Sequence, residues 1–153
     1  MPEERREQVL RAFEQSRLAL LSAIDELSEQ QMSDPSLDGW SVKDNLAHIA
    51  HMDELRLSEI HRVSNGYQVA YRDDHPKRWE VNEMGVDYRR HLSLAQVLWE
   101  LGFIRTQVLD AVKGASERGL DRSQYGEFGL DGGAEHEHEH AQTIRRWRQS
   151  KGT

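Results

Sequence analysis

The sequence contains no cysteine, which excludes both a disulfide framework and a thiolate nucleophile belonging to the chain itself. Any thiol chemistry therefore needs a thiol supplied from outside. Runs of β-branched residues are also few, whereas alanine, leucine, glutamate, glutamine and arginine, all strong helix formers, are abundant. This composition favours an all-α fold.

Long apolar runs are absent as well. None approaches the roughly 18 residues of a membrane span, and the first six residues lack the apolar core of a signal peptide. A net charge of −7, with acidic and basic residues interspersed, leaves no basic surface for a polyanion. We therefore expect a cytoplasmic protein without membrane or nucleic-acid partners, and a single domain over residues 1–153.

Four segments carry apolar residues at helical spacing, which predicts an up-and-down four-helix bundle. They cover about residues 3–31, 42–65, 94–114 and 134–149. Between the second and third helices, a polar loop over 66–76 precedes a short amphipathic segment over 77–88, which we interpret as a lid or a connector. A glycine-rich acidic stretch over 123–133 is predicted to be a loop.

Local residues mark the ends of these helices. The aspartate–proline pair at 34–35 breaks the first pattern. Ser41 precedes the second helix as an N-cap with Asp44 three residues on, although Glu or Gln would make the better capping box. Ser93 and Gln96 predict a full capping box at the start of the third helix.

The fourth helix contains three histidines at alternate positions. Helical geometry places His136 and His140 on one face together with Thr143 and Trp147, whereas His138 lies about 200° from His136 and is predicted to face outward. Two imidazoles on one face can share a metal ion. The alternative is that the whole run is a solvated acidic helix start, and the spacing alone leaves both interpretations open.

The same run matches the His-Glu-x-x-His pattern of zincins, in which Glu137 would be the general base. No His, Asp or Glu follows His140, so a third protein ligand has to come from upstream. This disfavours a zincin.

Several upstream histidines are candidates for that third ligand. His48 and His51 lie in the first half of the second helix, whereas three others lie near helix ends or in loops: His61, His75 and His91. The main apolar face of the second helix consists of Leu46, Ile49, Leu57 and Ile60. His48 points away from this face, so the residues alone also allow it to be simple packing on a second buried face, against another helix or a second copy of the chain.

A family resemblance favours His48. The segment GWSVKDNLAHIA at residues 39–50 resembles the second-helix signature of the DinB/YfiT-like superfamily. His136 and His140, followed by AQTIR, are similar to that family's last metal-binding helix, and the resemblance covers roughly residues 8–149. It implies a four-helix bundle with His48, His136 and His140 as ligands of a divalent ion, with zinc or nickel expected.

The resemblance also implies a range of functions. Some members are thiol-dependent transferases or isomerases that use mycothiol or bacillithiol. We therefore expect a metal-dependent thiol S-transferase or hydrolase acting on a small electrophile, with a low-molecular-weight thiol as partner and a homodimer as the assembly. The alternative is a non-catalytic metal-binding module for stress response or ligand binding. The sequence assigns no catalytic residue and no cofactor-binding residue beyond the three histidines.

Three charged residues interrupt apolar helix faces: Arg17, Asp53 and Arg105. Burying any of them unpaired would cost several kcal/mol. We therefore expect an internal salt bridge between Asp53 and Arg17 or Arg105. The alternative interpretation places an arginine beside an anionic substrate.

Overall fold

The computed structural model describes residues 1–70, 78–126 and 130–153. Helices account for its regular structure: α1 Pro2–Ile24, α2 Glu29–Met32, α3 Val42–Ser64, α4 Arg78–Arg89, α5 Leu94–Gly114, α6 Glu117–Leu120 and α7 Gly132–Lys151, with a 3-10 turn at Arg122–Tyr125. Within those ranges no strand forms beyond one isolated bridge between Leu37 and Trp40. The predicted all-α class is confirmed. Parts of the predicted loops, 71–76 and 127–129, and Lys77 of the predicted amphipathic segment lie outside the described residues.

Four long helices, α1, α3, α5 and α7, form the bundle. Two groups of buried side chains fill it, one at the end where α1 finishes and one at the end where α1 begins. The first includes Leu20, Leu46, Leu101 and Ile144, and the second includes Val9, Phe13, Ile60 and Val108. No helix in the described part of the chain is long and apolar enough to cross a bilayer.

The order of helix directions differs from the up-and-down pattern that we predicted. α3 and α5 run parallel, since Asp53 meets Arg105 in their middles and Ser64 meets Ser116 just beyond the end of α5. α1 and α7 are likewise parallel to each other, because their starts contact each other and so do their ends, and α7 is antiparallel to α3. The parallel pair is possible because a long connection containing α4 returns the chain to the start of α3, where Lys43 Nζ donates to the Arg90 carbonyl at 3.4 Å. The amphipathic segment is therefore a connector.

The first helix is shorter than predicted. It ends at Ile24 because Glu26 adopts a left-handed conformation with φ of 63°, and α2 then begins as a separate helix. Ser28 and Gln31 form a capping box for α2, with the Ser28 N–H donating to Gln31 Oε1 at 2.8 Å and the Gln31 N–H donating to Ser28 Oγ at 3.1 Å. The prediction of one helix over 3–31 is wrong because this local break precedes the proline.

The N-terminal cap of α3 is more complete than predicted, and the N-terminal cap of α5 is less complete. Ser41 and Asp44 form a complete capping box, in which each backbone N–H donates to the other side chain at 3.0 Å. Ser93 accepts from the Gln96 N–H at 3.1 Å, but the Gln96 side chain donates to Glu100 instead of accepting from Ser93. The full capping box predicted at Ser93 is therefore only half formed.

Candidate metal centre

Three imidazoles converge between α3 and α7. His48 lies in the second turn of α3, and His136 and His140 lie one turn apart on α7, which runs antiparallel to it. His136 Nε2 lies 3.4 Å from His48 Nε2 and 3.1 Å from His140 Nε2. One nitrogen from each of the three rings falls within 4.8 Å of the others. The structure thus brings together the three residues that the sequence analysis selected.

The arrangement fits a divalent metal ion. Four nitrogens placed tetrahedrally at 2.0–2.1 Å from a zinc ion would be about 3.4 Å apart, close to the two distances between ring nitrogens. Neutral imidazole is a ligand for zinc, nickel, copper and iron. The donor set can therefore hold such an ion through three side chains.

Burial keeps two of these rings neutral. His48 is 8% exposed, and burial, reinforced by His136 and His140, lowers its pKa to about 3. Burial followed by the charge of His136 lowers the pKa of His140 to about 4. A histidine must be neutral to bind a metal, so both rings are in the ligating form at neutral pH. His136 and His140 are only half-buried, which leaves a side of the cluster open to solvent.

The other histidines lie elsewhere. His138 is exposed, as predicted from its position on the helix, and His61 and His91 are also exposed. His51 is buried one turn beyond His48 and does not join the cluster; its Nδ1 lies 3.9 Å from Glu54 Oε2. His75 lies outside the described residues.

The core face of α7 differs from the predicted one. Its buried residues are Gly132, Ala134, Glu137, Ala141, Ile144 and Trp147. His136 and His140 lie at the edge of this face, and Thr143 is half-buried. The predicted face did not include Glu137, which is 1% exposed.

Glu137 belongs to a buried ionic cluster. Its carboxylate accepts from Arg105 at 3.1 and 3.2 Å and from Arg17 Nε at 2.9 Å, and it also accepts from the Ser16 hydroxyl. Although burial acts to raise the pKa of Glu137, the charges of Arg105 and Arg17 lower it. A carboxylate engaged in this way is unsuited to act as a general base, so Glu137 does not fill the role that the His-Glu-x-x-His pattern of zincins would give it.

Asp53 completes the cluster. Its carboxylate accepts from Arg105 at 2.8 and 3.2 Å and from Arg17 at 3.4 Å. The prediction that Asp53 pairs with Arg17 or Arg105 is confirmed, and both arginines take part. Two carboxylates facing two guanidinium groups balance the buried charge.

Sequence reasoning missed two residues at this centre. Glu137 could have been found from its spacing to Ala141 and Ile144, four and seven positions along α7. Asn45 lies three positions before His48 on α3, and its Oδ1 lies 2.6 Å from His140 Nδ1. An i, i+3 relationship places Asn45 and His48 on neighbouring positions of one helix face.

Comparisons with known proteins agree with this architecture. The family model of the DinB superfamily matches residues 12–144, a range that includes all three histidines and most of the bundle. No curated protein and no solved structure matches the chain.

Proposed function

This chain belongs to the DinB superfamily, and we propose that it holds one divalent metal ion through His48, His136 and His140. The observation that carries the proposal is the convergence of three imidazole nitrogens at distances suited to a shared ion. Zinc and nickel are the proposed ions, since both accept imidazole ligands.

We further propose that the centre serves a thiol S-transferase or hydrolase. Three protein ligands with an open position are typical of catalytic zinc sites, where the ion lowers the pKa of a bound water or thiol. The half-exposure of His136 and His140 supports access of a small molecule to this position. Because the chain has no cysteine, the thiol would be a separate low-molecular-weight compound and the second substrate a small electrophile.

The ion is tested first, without reference to activity. The protein is purified without immobilised nickel, because the exposed His138 beside the cluster would take up metal from such a resin. Elemental analysis should then find one ion per chain, and a His138→Ala variant should retain it. Trp40 offers a second readout, since its ring centroid lies 5.5 Å from that of His48 and its fluorescence should be quenched by Co²⁺. A Trp40→Phe variant should lose this quenching.

Activity is tested next with excess thiol and a panel of electrophiles. Turnover that needs both the metal and His48 supports the transferase or hydrolase. Stoichiometric metal without turnover supports instead the non-catalytic stress-response or ligand-binding module. The homodimer stays a prediction, to be checked by analytical ultracentrifugation.

A further inference from the structure

We propose that Asn45 is a positioning residue that holds His140 in the tautomer protonated at Nδ1 and so directs the lone pair of His140 Nε2 towards the metal centre. This inference rests on the proposed metal binding for its purpose, but the tautomer itself is a property of the metal-free protein.

The orientation of the Asn45 amide is fixed by its own backbone. Asn45 is 4% exposed, and its Nδ2 lies 2.9 Å from the carbonyl oxygen of Ser41. A carbonyl oxygen only accepts hydrogen bonds, so the NH₂ group of Asn45 must face Ser41. The Oδ1 atom, which only accepts, therefore faces the opposite way.

That oxygen meets His140. The distance from Asn45 Oδ1 to His140 Nδ1 is 2.6 Å. Because the oxygen cannot donate, the hydrogen of this contact has to be on Nδ1. A neutral imidazole carries one N–H, so Nε2 is left with its lone pair free. Nε2 is also the atom that lies 3.1 Å from His136 Nε2.

The first turn of α3 supplies a rigid base for this contact. The Ser41 carbonyl accepts from both the backbone N–H and the side chain of Asn45, at 3.1 and 2.9 Å. The capping box between Ser41 and Asp44 holds the same turn. The orientation of His140 on α7 thus depends on the N-terminal cap of α3.

This contact distinguishes His140 from His48. His48 Nδ1 is buried and has no hydrogen-bond partner in the part of the chain that the structure describes. His140 therefore has a built acceptor that His48 lacks. An amide also differs from a carboxylate, a common partner of metal-binding histidines, because it fixes the tautomer without adding negative charge.

The experiment has a metal-free part and a metal part. Two-bond ¹H–¹⁵N NMR correlations on the metal-free protein should assign the His140 hydrogen to Nδ1, and a hydrogen on Nε2 would overturn the proposal. This result is independent of whether the protein binds metal. Competition with a chelator then measures Zn²⁺ affinity, and a wild-type protein that binds no Zn²⁺ would refute the proposed function while leaving the tautomer assignment standing.

Three variants separate positioning from a general effect on folding. Asn45→Leu should show both tautomers of His140 and bind Zn²⁺ about 10–100-fold more weakly, as expected for loss of a hydrogen-bond partner of a metal ligand. Asn45→Asp keeps the acceptor and should retain the Nδ1–H tautomer and affinity at least equal to wild type. Asn65→Leu, at the other end of α3, is the matched control and should change neither readout. Unchanged affinity in Asn45→Leu, or loss of the tautomer in Asn45→Asp, would contradict the proposal.

Discussion

Glu137 and Arg105 form two parallel hydrogen bonds, at 3.1 and 3.2 Å, in a region where neither residue is more than 4% exposed. Glu137 is the next residue after His136. A fixed contact on one side of α7 therefore sets the rotation of this helix about its axis and directs His136 towards α3. The geometry of the histidine cluster therefore depends on an ionic cluster that lies beside it on the same helix.

Loss of one carboxylate from the ionic cluster should destabilise the protein strongly. Asp53→Ala leaves the buried Arg105 and the partly buried Arg17 with Glu137 as the remaining carboxylate of the cluster, so we expect a decrease of roughly 3–5 kcal/mol in the free energy of unfolding. Chemical denaturation at pH 7 measures this value. Asp110→Ala, which removes an exposed aspartate from α5, should change it by less than about 0.5 kcal/mol. A similarly small effect at Asp53 would mean that this residue is solvated.

Substitutions within the histidine run of α7 should differ in their effect on metal binding. His48→Ala, His136→Ala and His140→Ala each remove one of three donors and should lose the ion during dialysis, whereas His138→Ala should keep it. Elemental analysis after dialysis distinguishes these outcomes. Equal loss in His138→Ala and His136→Ala would contradict the orientation of α7. Retention of the ion by His48→Ala would move the third ligand elsewhere, with His51 the next candidate.

Acid should destabilise the metal-free protein before the carboxylates are protonated. The pKa values of His48 and His140 are about 3 and 4 in the folded chain and about 6.5 when unfolded. Below pH 6.5 the unfolded chain therefore binds more protons than the folded chain. The free energy of unfolding is highest above that pH and decreases as the pH falls towards 4. Each histidine lowers the free energy of unfolding by at most about 1.4 kcal/mol for each pH unit of acidification.

Urea unfolding between pH 6.5 and 4.5 isolates this effect from Glu137, whose lowered pKa makes its contribution fall only at lower pH. A His48→Gln/His140→Gln double variant should show a flatter dependence of the free energy of unfolding on pH. An identical slope in the two proteins would show that the histidine pair does not cause the loss.

Two helical glycines should respond to alanine in opposite directions. A Cβ atom at Gly85 in α4 would lie 2.1 Å from Cγ of the buried His51 ring, so Gly85→Ala should destabilise by about 1–3 kcal/mol. A Cβ at Gly102 in α5 meets nothing within 4 Å, and Gly102→Ala should stabilise by about 0.5–1 kcal/mol. Thermal unfolding measures both. The Gly85→Ala/His51→Ala double variant should recover part of the loss, and an unchanged or higher stability of Gly85→Ala would contradict the packing of α4 on α3.

The sequence predicted those features that local residues determine. Periodicity and caps located α3, α5 and α7, and helical geometry placed His136 and His140 together with His138 outside. The parallel course of α3 and α5 was missed because it depends on where a long connection leads. Glu137 was missed for a related reason: its partner Arg105 lies 32 positions away, and a glutamate near a helix start is usually solvated.

His48 could be chosen as a ligand only through the family resemblance. Its helix face lies away from the main apolar face of α3, and the sequence does not show which helix packs against it. In the structure α7 covers this face, and no second copy of the chain is required to explain its burial.

His48 and His136 are 88 positions apart, and α4 and α5 both lie in the stretch of chain between them. An ion bound to both would close this stretch into a loop, which reduces the freedom of the unfolded chain for as long as the ion stays bound. Since binding requires the folded arrangement, unfolding would become harder with rising concentration of free metal. A protein without cysteine would in this way gain a cross-link that a chelator can remove.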